Sequence, residues 1–406
     1  METKTKEEVL KENEQIKHTE DVPTECLKIL QDEKLFDLLH KEWNKHIVGE
    51  ILPREIIFAV ALGGSLCLNA QKTSNNLIVN SKSGSGKDHV TTEVIRLISG
   101  EEERWFKRTR ISKTAFTYWH NSFFEPEWTW NGKIFYGEDV SSDVLNCEVF
   151  KVMSSGGSHS TIVKDQKALT ILINGKPSII ITAANATLQD ELLRRFAVIR
   201  LNETKEQDDL IIKHQAELAM TGIQPQYDDL VKKSLLCLKP VKVIIPYAEE
   251  FEKVFEKMHA NIIIRTNFNR FVDMIKYSTV IHQFQRDRAS DGSIYAKPED
   301  YDKAVDWFYY MFTNQQLLPL TNDQQRLLKL IQELSPEANV SDIISEVTFA
   351  GRTWVYTNLN ILAEKGFLIK GSKVEENSYQ NRKSDVYTAI KQEELKLPYY
   401  FDLDKN

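Results

Sequence analysis

The sequence predicts an α/β protein with a parallel sheet and a Gly-rich turn, then a helical stretch, then a small C-terminal helix–strand unit. Three observations point there. Four short apolar runs, 77–80, 134–136, 178–182 and 197–201, alternate with stretches of helical periodicity, the pattern of buried parallel strands joined by crossover helices. The turn after the first run is rich in Gly and Ser and passes directly into a helix. From residue 205 the strand signal fades and helical periodicity takes over.

Taken in order, residues 1–20 are charged and almost free of large apolar side chains, which reads as a tail. Leu27, Leu30, Leu35, Leu38, Leu39 and Trp43 recur at helical spacing and predict one or two helices between Cys26 and Ile47. Pro53 suits a first helical turn and opens an apolar helix to about Asn69. Leu77 to Asn80 forms the first strand, and Val90, Val94, Ile95, Leu97 and Ile98 mark the next helix. Four units are expected: 1–48, a tail and helices; 49–205, the α/β core; 206–318, a helical lid; and 319–406, the C-terminal unit.

Composition narrows the functional classes. Lys and Arg number 52 against 59 Asp and Glu, a net charge of -7, so any nucleic-acid surface must be local. The four cysteines, Cys26, Cys67, Cys147 and Cys237, form no CxxC pair and read as buried thiols of a reducing compartment rather than zinc ligands. No apolar run approaches the ~18 residues of a membrane span, and no basic-then-apolar leader opens the chain. An intracellular location is expected.

The turn Ser81-Lys82-Ser83-Gly84-Ser85-Gly86-Lys87-Asp88 is close to the phosphate-loop pattern G-x-x-x-x-G-K-[ST]. Glycines let backbone N–H groups close around phosphate oxygens, and the helix N-terminus adds its positive end. Ser83, Gly84, Ser85, Gly86, Lys87, Asp88 and His89 are the expected nucleotide contacts, with Lys87 reaching the β- and γ-phosphates. Two positions depart from the pattern: Ser81 replaces the first Gly, and Asp88 replaces the Ser or Thr that ligates Mg²⁺. A carboxylate at 88 either binds the metal or repels the triphosphate.

About fifty residues later, the run Ile134-Phe135-Tyr136-Gly137 ends in Glu138-Asp139. Paired acids at a strand end suit nucleotide hydrolysis, one holding Mg²⁺ and one polarising water. Glu138 takes the metal role with Asp88 and Asp139 the base role, or the two exchange. Asn185, ending the run Ile179–Ala184, would orient the water. Arg194 and Arg195, one short helix later, would stabilise transition-state charge at a neighbouring subunit's nucleotide.

This ordered set resembles the AAA+ ATPases, and within them the helicases of viruses and mobile elements near superfamily 3 and the minichromosome maintenance proteins. The residues carrying the resemblance are Ser81–Asp88, Glu138-Asp139, Ser154–Gly157, Ile180–Asn185 and Leu193–Phe196, with 281–286 and 297–301 adding to it. It covers roughly residues 50–315. It implies ATP and Mg²⁺ as cofactors, a hexameric ring, single-stranded DNA in its pore, and a primase or other replication protein as partner. Asn185 then matches sensor 1 and Arg195 the arginine finger, with Arg194 second. Arg270 matches a sensor 2 arginine, with Arg265 its rival. The segment 160–170 alternates β-favouring residues around a polar turn and matches the pore hairpin, which puts Lys164 and Lys167 against strand phosphates.

In the C-terminal unit, Thr321-Asn322-Asp323-Gln324 opens a helix, shorter helices follow near 340–345 and 350–365, and two strands lie at 367–371 and 385–389. That order resembles a winged helix–turn–helix, whose third helix enters the major groove of duplex DNA. Arg352, Thr353, Tyr356 and Asn358 are the expected readers, and Lys370, Lys373, Arg382 and Lys383 the wing's phosphate contacts. The leading expectation is an ATP-driven helicase or helicase loader. The alternative is a DNA-binding assembly factor that uses nucleotide as a switch with little or no hydrolysis.

Overall fold

The computed structural model describes residues 21–98, 104–120, 125–164, 166–184, 190–257, 264–317, 320, 322–334, 338–364, 367–377, 380–389 and 397–405. Two helices, α1 (Thr24–Leu30) and α2 (Leu35–Trp43), precede α3 (Ile51–Phe58). α3 continues through a π-helical turn, Ala59–Gly63, into Gly64–Leu66. The wider turn falls where the helix lies against Tyr277: a Cβ on Gly63 would stand 2.6 Å from the Cβ of that tyrosine. Next come β1 (Asn76–Ser81), α4 (Lys87–Ile98), β2 (Trp105–Arg108), α5 (Ala115–Tyr118), β3 (Ile134–Gly137), α6 (Ser142–Leu145) and α7 (Glu148–Gly156). The hairpin β4 (Ser158–Lys164) and β5 (Lys167–Ile173) leads to β6 (Ser178–Ala184), α8 (Asp190–Arg195) and β7 (Ala197–Ile199).

Five of these strands form one parallel sheet in the order β2-β3-β6-β1-β7. Every residue of β1, β3 and β7 is buried, as are all of β6 but Ala184. Strands buried on both faces need continuous apolar runs, which is what their sequences supply. β6 follows β5 in the chain yet inserts between β1 and β3, so the Gly-rich turn after β1 and the acids after β3 flank the end of β6.

The helices after the sheet are α9 (Lys205–Thr221), α10 (Asp229–Leu236), α11 (Ala248–Lys257), α12 (Ile264–Ile281) and α13 (Pro298–Leu317), with the two-residue strands β8 (Val243–Ile244) and β9 (Ile294–Tyr295) pairing in parallel among them. They form no separate body. One apolar core joins α1–α3, one face of the sheet, α10, α12 and α13. The buried Glu55 carboxylate of α3 accepts from Lys303 Nζ at 2.9 Å and Trp307 Nε1 at 2.7 Å of α13, and lies 2.7 Å from His40 Nε2 of α2. Burial alone would raise its pKa, but these partners outweigh burial and hold it low. The expected boundaries at 48/49 and 205/206 therefore do not separate cores. A second core on the other sheet face is built around Trp130, Phe135 and Phe150.

The C-terminal unit comprises α14 (Asn322–Glu333), β10 (Ala338–Asn339), α15 (Val340–Glu346), α16 (Arg352–Glu364), β11 (Leu368–Asn377) and β12 (Gln380–Ala389). Its three-stranded sheet has the order β10-β12-β11 and its own core around Leu327, Ile343 and Leu359. Residues 397–405 leave this unit. Leu397 and Leu403 bury in the main core, Asp302 accepts from Tyr400 N at 2.7 Å, and Tyr301 donates to Pro398 O at 3.1 Å. The unit expected to end at 406 thus gives its tail back to α13.

Candidate phosphate-loop site

Ser81 stays in β1, and its hydroxyl accepts from Leu201 N at 2.8 Å. The missing first glycine therefore costs nothing: the residue there is extended and buried. Gly84 and Gly86 carry the positive φ values of the turn, 81° and 79°, and a Cβ on either would meet nothing within 4 Å. The glycines thus serve backbone conformation rather than packing. Lys82 pins the loop, its N–H donating to Glu203 Oε1 at 2.8 Å and its ammonium pairing with the same carboxylate at 3.0 Å.

Lys87 opens α4 with its side chain only 5% exposed. Its ammonium stands 3.7 Å from Asp88 Oδ2 and 3.7 Å from Asp139 Oδ1. Asp139 follows β3 with a left-handed φ of 49°, a conformation of real cost for a non-glycine residue. Thr182 holds it there. The hydroxyl of this β6 residue accepts from Asp139 N at 2.9 Å and donates to Asp88 Oδ1. One threonine so connects the two acids that flank Lys87. Glu138, expected to hold the metal, instead pairs with Lys107 Nζ of β2 at 3.2 Å. The structure brings Asp139 to the loop and leaves Glu138 beside it.

This arrangement fits a magnesium triphosphate. Loop N–H groups and Lys87 suit the phosphates, and Asp88 and Asp139 offer oxygen ligands for a hard cation. Among the described residues no group of three or more His, Cys, Asp or Glu side chains clusters to cage a metal. A cation here would take its other ligands from phosphate and water, as Mg²⁺ usually does.

The arginines lie elsewhere. Arg195 O accepts from Asn76 Nδ2 at 2.8 Å, at the first residue of β1. Six strand residues, roughly 17 Å, separate that end from the loop, so neither Arg194 nor Arg195 reaches the phosphates of its own chain. Arg195 is engaged locally: it donates to Lys151 O at 2.6 Å and to Ser155 Oγ, and pairs with Glu191 at 2.9 Å. Arg194, the second choice from sequence, is exposed. Arg270 needs correction as a sensor. It is buried in α12, donates to Arg194 O at 3.4 Å, and burial pushes its pKa down to about 10. It packs at the far end of the sheet from the loop. Asn185 lies outside the described residues.

The expected hairpin is present: β4 and β5 pair from Ser158↔Ile173 to Lys164↔Lys167. Lys167 is exposed and Val163 is 77% exposed near the tip, while Ile171 and Ile173 anchor the base. In the C-terminal unit, Arg352, Thr353 and Tyr356 of α16 are exposed, with the Arg352 guanidinium 6.0 Å from the Tyr356 ring. Asn358 is not a reader: it is 6% exposed and accepts from Gln324 at 2.7 Å. Lys370 is tied to Asp385 at 2.9 Å. Lys164, Lys373, Arg382 and Lys383 occupy strand positions with side chains outside those described. Sequence reasoning missed Thr182 and Lys107, whose roles depend on which strands are neighbours.

A family model described as MTBMA_p00010 P-loop domain matches residues 20–236, just over half of the chain. No curated protein matches the chain. No helix among the described residues is long and apolar enough to cross a membrane.

Proposed function

The chain belongs to the MTBMA_p00010 P-loop family, and from that premise we propose an ATP- and Mg²⁺-dependent motor acting on DNA, a helicase or helicase loader working as a ring of identical subunits inside the cell. The observation that carries this reading is the division of charge across the sheet. Lys87, Asp88 and Asp139 gather at the loop, while the exposed Arg194 stands at the opposite end, out of reach of its own loop. A second subunit is what would bring an arginine to the γ-phosphate.

In this reading Asp139 takes over metal and water positioning with Asp88, and Glu138 stays beside them, paired with Lys107. Arg194 is preferred to Arg195 as the finger because Arg195 is consumed within its chain. The β4–β5 hairpin, with its exposed tip at Lys167, is the element offered to a single strand. The order α14-β10-α15-α16-β11-β12 supports reading the C-terminal unit as a winged helix, with Arg352 and Tyr356 on the duplex-facing helix.

Steady-state ATP hydrolysis with and without single-stranded DNA is the test. Lys87→Ala is expected to abolish a DNA-stimulated rate, and unchanged turnover in that variant would overturn the assignment. Asp88 favours a second reading, a nucleotide-switched DNA-binding assembly factor, because its carboxylate replaces a metal-binding hydroxyl. DNA binding that responds to nucleotide without hydrolysis above background selects it.

A further inference from the structure

A cavity of about 530 Å³ adjoins the Gly-rich loop, reaching from Gly84, Ser85 and Gly86 to the chain segment 46–50 on one side and to α9 on the other. α9 is unusual. Of its 17 residues only Gln207 is buried, although helices of this length draw most of their stability from packing. The reason lies in its inward stripe. Gln207, Ile211, His214 and Leu218 recur at helical spacing, and all four face the cavity. The helix is packed against a space. Its first turn is tied down, Gln207 Nε2 donating to Val48 O at 2.7 Å.

Ile47, Val48, Val90, Ile212 and Pro225 add apolar lining, and Glu50, His89, Asp208 and Gln215 add polar groups. Three polar atoms of lining residues stand apart from the others. Ser85 Oγ, His46 Nε2 and His214 Nε2 are buried with no hydrogen-bond partner among the described residues. Such groups are rare in folded proteins and mark places where a ligand or water supplies the partner. His46 Nδ1 lies 3.6 Å from Glu93 Oε2, and its ring packs on Tyr227 with centroids 4.3 Å apart. A carboxylate on the Nδ1 side favours the proton on that nitrogen, which would leave Nε2 as an acceptor.

We infer that this cavity takes the purine base of the nucleotide, that α9 closes over the base, and that His46 Nε2 selects adenine by accepting from its exocyclic amine. The inference rests on reading the Gly-rich loop as a triphosphate site, since the loop and the cavity are continuous. A flat ring against Ile211 and Leu218 supplies the packing that α9 lacks. A 6-oxo base would set a carbonyl oxygen against the lone pair of His46, an unfavourable contact.

Affinities for ATP, ITP and inorganic tripolyphosphate, with hydrogen exchange across 205–221, test this on the full chain. ATP is expected to bind about tenfold more tightly than ITP, the effect of one hydrogen bond lost in a dry site. ATP, but not tripolyphosphate, slows exchange in α9. His46→Phe keeps the ring packing and brings ATP down to the level of ITP while leaving tripolyphosphate unchanged. Equal affinity of the wild-type protein for ATP and ITP, or equal protection of α9 by ATP and tripolyphosphate, overturns the base site and leaves the phosphate loop standing. Failure of all three to bind overturns the phosphate-loop reading itself. Should His46→Phe not fold, the wild-type comparison alone decides.

Discussion

The two ends of the central sheet hold their cations in opposite ways. At the loop end, Lys87 stands between two carboxylates at 3.7 Å, too far for close hydrogen bonds, in a gap that phosphate oxygens would fill. At the other end the basic groups are spent on the chain itself. Arg195 caps Lys151 O, Arg270 donates to Arg194 O, and Lys176 is buried against Asn75 Oδ1 and Pro177 O at 2.9 Å. Residue type alone does not distinguish a ligand-binding cation from a structural one; what matters is whether its donors are already taken. By that criterion, and among the described residues, Arg194 is the member of the far group left available.

The largest effect should come from that exception. Arg194→Ala is expected to lower ATP turnover by about 10³-fold, the usual worth of an arginine supplied across an interface, with nucleotide affinity and melting temperature unchanged. Arg195→Ala should instead lower the melting temperature. If Arg195→Ala abolishes turnover and Arg194→Ala does not, the ranking is reversed.

Arg270→Ala sharpens the contrast from the structural side. Emptying a fully buried site of that size should cost roughly 2–4 kcal/mol in denaturant unfolding, while protein that remains folded keeps its nucleotide affinity. A loss of affinity at intact stability would return Arg270 to the site.

Glu50 tests the rim of the cavity. Burial raises its pKa to about 7, against hydrogen bonding from Asn202 and the nearby Arg54 charge. A carboxyl with a raised folded pKa contributes stability below its unfolded value that is lost as pH rises through the folded one. Wild-type stability should therefore fall between about pH 4.5 and pH 7 through this group. Glu50→Gln should remove that loss, gaining roughly 1–3 kcal/mol at pH 8 and nothing below about pH 4.5. Equal stability of the two proteins at pH 8 would remove the buried-acid account.

The smallest effect belongs to Lys176. Burial, with Lys72 adding to it, holds its pKa well below the ordinary lysine range. The unfolded chain then binds the extra proton, so stability rises with pH between the folded pKa and the unfolded one. Melting from pH 7 to 9 should show a shallower rise in Lys176→Met than in the wild type. Identical slopes would mean the amine is charged in the fold.

Much of the loop end was legible in the sequence because its signals are local. A strand, a Gly-rich turn and a helix are contiguous from Leu77 to Ile98, and Glu138-Asp139 sits at the end of an apolar run. The hairpin was legible for the same reason. What escaped depends on pairing between distant segments. Thr182 matters only because β6 enters between β1 and β3, and Glu138 turns to Lys107 only because β2 lies beside β3. Helical periodicity could not tell whether 206–317 forms a separate lid or shares a core with α1–α3; Glu55, reaching Lys303 and Trp307, closes that gap across about 250 residues. Asn358 had the right chemistry for a reader, but its helix turns that face inward.

α13 is where these parts meet. Near its middle, the hydroxyl of Tyr310 donates to Arg200 O at 2.6 Å, one residue beyond β7. Past its C-terminal end lies the small unit, and the returning tail fastens to the same helix through Tyr301 and Asp302. The chain thus leaves for the C-terminal unit from α13 and returns to it. One helix therefore receives both the edge of the sheet and the returning tail, so a shift of β7 would be felt where the chain leaves for its last unit.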